Sequence, residues 1–185
     1  MINHDRGFKR EPASADGHQK IRKRWSRPEL GSAKLNVDGS FAPDGRSGAG
    51  MVLRDYREVV FAACRRIDFC TDATEAELAA IEEGISLALH WTPLKLIMET
   101  DCAEALELIR ESTPNTSSYA FRISKIRDLI KEREIGLAKI SRDANAVSHE
   151  LAKIGRVQAR TAFWLSDLPQ EIAAAVSNGC TPTPV

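Results

Sequence analysis

Three things are scarce in this sequence: long apolar runs, paired cysteines and a surplus of positive charge. No stretch approaches the roughly eighteen apolar residues of a membrane span, and the amino terminus has no signal-peptide apolar segment. A membrane partner is therefore not expected, and the chain reads as intracellular, in nucleus or cytoplasm. Cys64, Cys70, Cys102 and Cys180 form no CxxC pair and have no histidine at zinc-ligand spacing. They read as thiols of a reducing compartment, and zinc is not indicated. Lys and Arg number 26, as do Asp and Glu. The balance is uneven, since residues 1–33 carry eight Lys/Arg against four Asp/Glu and residues 34–185 sum to −4. A folded part of that sign excludes binding to nucleic acid by bulk charge alone. Any such role must rest on local geometry, or on metal ions that offset clustered carboxylates.

What is present suits one domain with tails: 185 residues, 43% hydrophobic and 28% charged. Residues 1–33 are polar and basic, with Lys20, Arg22, Lys23, Arg24 and Arg27, and read as a disordered arm from which Trp25 and Pro28 could fold back. The ordered domain is expected over 34–160, with a carboxy-terminal extension over 161–185. Leu35 and Val37 alternate with polar neighbours in Lys34–Ser40, a strand pattern. Ala49–Arg54 and Val59–Ile67 follow as strands two and three, making an antiparallel meander. Ala73–Trp91 changes to helical period, with Thr74 as a plausible N-cap and Pro93 just past the end. Leu94–Thr100 reads as a fourth strand, Asp101–Glu111 and Tyr119–Lys131 as helices, Ile135–Ile140 as a fifth strand and Asn145–Val157 as a helix. A short helix over Gln170–Val176 closes the chain. No internal repeat is visible. The order is that of an α/β protein, a mixed sheet with helices on its faces.

The acids are informative by position. Asp38 ends the first strand before Gly39, where a carboxylate in an apolar strand needs a cation, a hydrogen-bond partner or a turn to accept it. Asp101 occupies the matching place after the fourth strand; at i, i+4, i+7 it shares a helical face with Ala105 and Leu108. Glu77, in the first turn of the long helix, has Ala80, Ile81, Gly84 and Ala88 as its spatial neighbours, whereas Glu75, Glu82 and Glu83 fall on other faces and read as exposed. Three acids at two strand ends and a helix face can converge. Hard divalent cations resolve the repulsion that follows, and a pair of them can activate water against a phosphodiester.

Lys34-Leu-Asn-Val-Asp38-Gly-Ser40 followed by Ser47-Gly-Ala-Gly-Met-Val-Leu-Arg-Asp55 resembles the opening of type 1 ribonuclease H domains. It looks most like the plant group derived from non-LTR retroelement reverse transcriptases. Ala76–Ala88 resembles that family's first helix, Ile97-Met-Glu-Thr-Asp101-Cys102 its fourth strand and following acid, and Arg142–Lys153 its final helix. Trp164 and Pro169 resemble the closing segment, so the similarity runs from about residue 25 to 175. The resemblance implies a ribonuclease H-like fold, a five-stranded sheet in the order 3-2-1-4-5 with flanking helices. It also implies metal-dependent cleavage of the RNA strand of RNA–DNA hybrids, with two Mg²⁺ or Mn²⁺ ions as cofactors. Asp38, Glu77 and Asp101 fall on three of the family's four catalytic, metal-binding acids. Gly39, Ser40 and Arg142 fall where contacts to nucleic acid are expected.

At the fourth acid position this sequence has His149. Imidazole binds divalent metal but carries no negative charge and suits softer ions than Mg²⁺. Val147, Leu151 and Ile154 form the apolar stripe of its helix about half a turn-circle away, which argues against a core histidine and leaves surface and cleft positions open. Asp143 is a poorly placed substitute, and Asn145 reads as the helix N-cap. The region Tyr119–Arg133 is mildly basic (Arg122, Lys125, Arg127, Lys131 and Arg133 against Asp128 and Glu132) and has no inserted helix to hold a duplex. Two readings stand: a monomeric hybrid-directed endoribonuclease, and a domesticated nucleic-acid-binding or interaction module of the same fold with weakened or absent activity. A purely structural domain would not explain the three retained acids.

Overall fold

Three successive strands open the structure, a computed structural model that describes residues 24–57, 59–112, 116–165 and 167–179. They are β1 (Ser32–Phe41), β2 (Ser47–Asp55) and β3 (Val59–Ile67), paired as an antiparallel meander. Helix α1 (Ala73–Trp91) crosses over to β4 (Lys95–Thr100), which lies parallel to β1. Helices α2 (Ala103–Arg110) and α3 (Ala120–Glu132) lead to β5 (Gly136–Lys139), parallel to β4. A 3₁₀ turn over Arg142–Asn145 enters α4 (Ala146–Val157); β6 (Ala162–Trp164) and α5 (Gln170–Gly179) follow. The sheet order is β5-β4-β1-β2-β3-β6.

The expected order 3-2-1-4-5 is therefore present, extended by a sixth strand from the carboxy-terminal segment. Three residues, Ala162-Phe163-Trp164, are too few to show a period in sequence. They add antiparallel to the outer edge of β3, and the Phe163 ring packs against Phe61 and Trp91, with centroids 5.2 Å away in each case. An exposed edge is thereby partly covered.

Helix α1 packs on one face of the sheet, with Leu35, Val37, Met51, Leu53 and Phe61 meeting Ile81, Ile85 and Ala88 in the larger core. On the other face α4 and α5 cover Val52, Ala62 and Cys64 with Val147, Leu151, Ile154 and Ile172. Alternation along β1 and β2 separates the two cores. Gly50 explains how closely α4 sits: a Cβ there would fall 2.0 Å from the Ser148 carbonyl oxygen.

The amino-terminal segment reaches this second face. Trp25 and Pro28 are buried, and the Trp25 indole donates to Glu99 Oε2 at 3.0 Å. Glu99 also accepts from Asn36 Nδ2 at 2.9 Å and pairs with Lys34 at 2.9 Å. Residues 1–23, which include most of the basic cluster, and Cys180 lie outside the described residues.

Three local expectations need correction. The N-cap of α1 is Asp72, which accepts from the Glu75 N–H at 2.9 Å, while Glu75 reaches back to the Thr71 N–H at 2.7 Å. That reciprocal box outcompetes Thr74, whose hydroxyl donates to Glu104. Helix α2 starts at Ala103 with Cys102 as N-cap, so Asp101 precedes the helix and the face argument does not apply to it. Glu82 and Glu83 are not merely solvated: Glu82 pairs with Arg122 and Lys125 of α3, and Glu83 with Arg65.

Candidate active site

Asp38 is presented by β1, Glu77 by the first turns of α1 and Asp101 by the bend after β4. Parallel pairing of β1 with β4 aligns the two strand ends, so Asp38 and Asp101 emerge together. Gly39 brings in the third acid. A Cβ at that position would lie 2.4 Å from backbone atoms of Ala76 and Glu77, so the strand end abuts α1 directly. The Gly39 N–H donates to Glu77 Oε2 at 3.1 Å and fixes that carboxylate. One oxygen from each of Asp38, Glu77 and Asp101 lies within 4.8 Å of the other two.

His149 lies at the cleft, with its Nδ1 3.0 Å from Asp38 Oδ2. This resolves the choice left by the helical pattern in favour of the cleft. The glycine beneath α4 at Gly50, opposite Asp38 in the β1–β2 register, lets the helix come close enough for that contact.

Asn145 is the functional side chain that sequence reasoning missed. It stands at the cap position of α4, but its side chain makes no cap hydrogen bond. Instead Nδ2 donates to the Val37 carbonyl at 2.9 Å and to Asp101 Oδ1 at 3.0 Å, and Oδ1 accepts from the Ser148 hydroxyl at 2.6 Å. Buried at 1% exposure, it ties β1, the end of β4 and α4 together and orients Asp101. The preceding turn is capped by Ser141, whose Oγ accepts from Ala144 N–H at 3.4 Å.

The electrostatics of the cluster follow from burial and like charge. Burial first, then the Asp101 charge, pushes the Asp38 carboxyl up to about 7, against the opposing pull of His149. Burial, then Asp38 and Asp101, pushes Glu77 up to about 9, while the Gly39 hydrogen bond and the Arg142 charge act the other way. Among the described residues, no Lys or Arg forms an ion pair with Asp38, Glu77 or Asp101. A largely buried set of oxygen donors with no paired lysine or arginine fits a hard divalent ion.

The remaining predicted contacts divide. Gly39 and Ser40 lie at the strand end beside the acids, and Arg142 is exposed in the turn that leads to Asn145, close enough to act on Glu77. Most of the basic residues of Tyr119–Arg133 are otherwise engaged. Arg122 and Lys125 face Glu82, Arg127 donates to carbonyls at the end of α2, and Arg133 to carbonyls of Leu89, Thr92 and Leu94.

Residues 36–155 match the family described as reverse transcriptase-like. Among solved structures the chain is similar to RNase H1 from the halophilic archaeon Halobacterium salinarum NRC-1, with TM-score 0.62, 14% identity and coverage of 70% of this chain and 99% of that one. It is also similar to the amino-terminal RNase H domain of a Mycobacterium tuberculosis protein, with TM-score 0.59, 16% identity and coverage of 80% and 97%. A third similar structure is LC11-RNase H1 in complex with an RNA/DNA hybrid, with TM-score 0.60, 17% identity and coverage of 69% and 98%. No curated protein matches the sequence. At these identities the structures speak for the fold, and the match over 36–155 for the family: the chain belongs to the reverse transcriptase-like family and has the ribonuclease H-like fold.

Proposed function

We propose that this chain is a metal-dependent endoribonuclease that cleaves the RNA strand of RNA–DNA hybrids. The observation that carries the reading is the convergence of Asp38, Glu77 and Asp101, with ligand oxygens within 4.8 Å of one another. The similarity to a ribonuclease crystallised with an RNA/DNA hybrid supports the choice of substrate. Bound Mg²⁺ or Mn²⁺, two ions in this reading, would activate a water and stabilise the leaving oxygen. Asp38, the most buried of the three acids, would offer oxygens to both ions. Gly39 holds Glu77 and Asn145 holds Asp101, so the ligand set is oriented before any ion binds. In this reading the backbone of Gly39 and Ser40 would meet ribose 2′-hydroxyls, and the exposed Arg142, whose charge reaches Glu77, would meet a phosphate.

A second reading, an inactive or weakened binding module, is favoured by one observation: His149 contacts Asp38 where the family usually has a fourth acid. A labelled RNA–DNA hybrid incubated with Mg²⁺ or with Mn²⁺ separates the two. The nuclease reading expects cleavage that is better with Mn²⁺ than with Mg²⁺, lost in Asp38→Asn, and raised with Mg²⁺ in His149→Asp. No cleavage by the parent chain or by His149→Asp with either ion would leave the binding module as the function.

A further inference from the structure

The acid cluster and its supports leave Arg156 without a role. Arg156 follows His149 by seven residues on α4, two helical turns, and so lies on nearly the same face. Its Nε donates to the Oγ of Ser40 at 2.8 Å, joining α4 to the end of β1. Ser40 is two residues beyond Asp38, so strand alternation turns both side chains to one face, about 7 Å apart along the strand. The register agrees: Asp38 stands opposite Gly50 and Ser40 opposite Gly48, and α4 backbone passes over both glycines.

Other arginines show what Arg156 lacks. Arg46, Arg65, Arg66 and Arg122 each pair with a carboxylate. Arg127 and Arg133 donate to carbonyls at helix ends. Among the described residues no carboxylate pairs with Arg156, and its side-chain hydrogen bond goes to a neutral hydroxyl. A guanidinium has five N–H donors in a planar fork, and Ser40 accepts from one of them. A cation in the last turn of a helix also suits the helix dipole. That role would keep the guanidinium by the last carbonyls of α4, yet its Nε is turned to β1.

We propose that Arg156, positioned by Ser40, binds the phosphate next to the scissile one on the strand that is cut. The inference rests on the nucleolytic reading of the acid cluster. The step from Asp38 to Ser40 is comparable with the separation of neighbouring phosphates along a strand, and the arginine fork matches two phosphate oxygens at once. Nucleic acid gains a hold on the α4 side of the site, where the engaged cations of α3 cannot reach it.

The test is an anisotropy titration of a labelled RNA–DNA hybrid at several salt concentrations, with Ca²⁺ in place of Mg²⁺. It uses the full chain, Arg156→Gln and Arg156→Lys, each also titrated with Mn²⁺ in a calorimeter. Arg156→Gln should weaken hybrid binding on the order of tenfold and flatten the slope of log affinity against log salt by about 0.7–0.9. Arg156→Lys should keep the slope and lose part of the affinity, because an ammonium cannot fork. Mn²⁺ binding should be the same in all three. Parent-like affinity and slope in Arg156→Gln would overturn the inference alone. Should that variant melt below the assay temperature, parent-like affinity in Arg156→Lys would overturn it. A parent chain that binds Mn²⁺ but no hybrid would overturn both the inference and the nucleolytic reading.

Discussion

Asp38, buried to 3% exposure with two other carboxylates within reach, shows what a single side chain contributes here. Its folded-state carboxyl titrates near 7 and that of Glu77 near 9, against 3.8 and 4.5 for the unperturbed groups. Both are raised, so the folded metal-free protein holds protons that the unfolded chain releases. The stability they contribute is fully present below about pH 4 and is lost as pH rises through about 7 and then about 9. Thermal melts in a chelator should therefore show a midpoint that falls over this range, and Asp38→Asn should melt higher than the parent at pH 8. A parent midpoint that climbs from pH 5 to 8 while that of the Asn variant does not would contradict this sign. Asn145→Ala should cost about 1–3 kcal/mol in a denaturant titration, since it takes the amide donor away from the Val37 carbonyl and from Asp101. Asp38 and Glu77 were legible because an acid in an apolar strand, or on the small-residue face of a helix, is out of place. Asn145 was not, because Asn before a helix has a sufficient local explanation and its partners lie 108 and 44 residues away.

At the level of elements, the site depends on how close α4 and α1 come to the strand ends. Gly50→Ala would drive a methyl into the Ser148 carbonyl, and overpacking of that kind costs about 1–3 kcal/mol. It should also move His149 away from Asp38, which a change in the imidazole nitrogen shifts on NMR would register. Unchanged stability and shifts would mean that α4 is not held by that contact. The carboxy-terminal segment is a second dependence. Ending the chain after Arg160 removes β6 and the buried Ile172, worth about 2 kcal/mol for that side chain alone. It also bares the outer edge of β3, so the shortened chain should melt lower and self-associate in sedimentation. A monomer with the parent's midpoint would show that the segment is dispensable. The strand and helix pattern through α4 was readable from periodicity and breakers, whereas β6 was not, since its place is set by the rings of Phe61 and Trp91 rather than by its own sequence.

Taken as one object, the molecule gathers acids at its candidate site and uses many of its arginines in its own architecture. Arg122 and Lys125 meet Glu82, and Arg127 and Arg133 hold helix ends, so most of the positive charge that the sequence offers in this region is committed to contacts within the fold. The sequence shows which residues are charged, but only the packing of α3 on α1 shows which charges are spoken for. What remains is a group of carboxylates that burial and mutual repulsion make costly to ionise without a cation, and in the proposed reading a bound ion would offset that cost. A ligand that binds only the folded state adds about 2.7 kcal/mol at a hundredfold excess over its Kd. The most direct measurement is a calorimetric titration of the metal-free chain with Mn²⁺, beside Asp38→Asn under the same conditions. The account predicts saturable binding by the parent, lost or greatly weakened in Asp38→Asn while that variant stays folded. Equal Mn²⁺ binding by the two chains, or none by the parent, would contradict the claim that Asp38, Glu77 and Asp101 form one metal site.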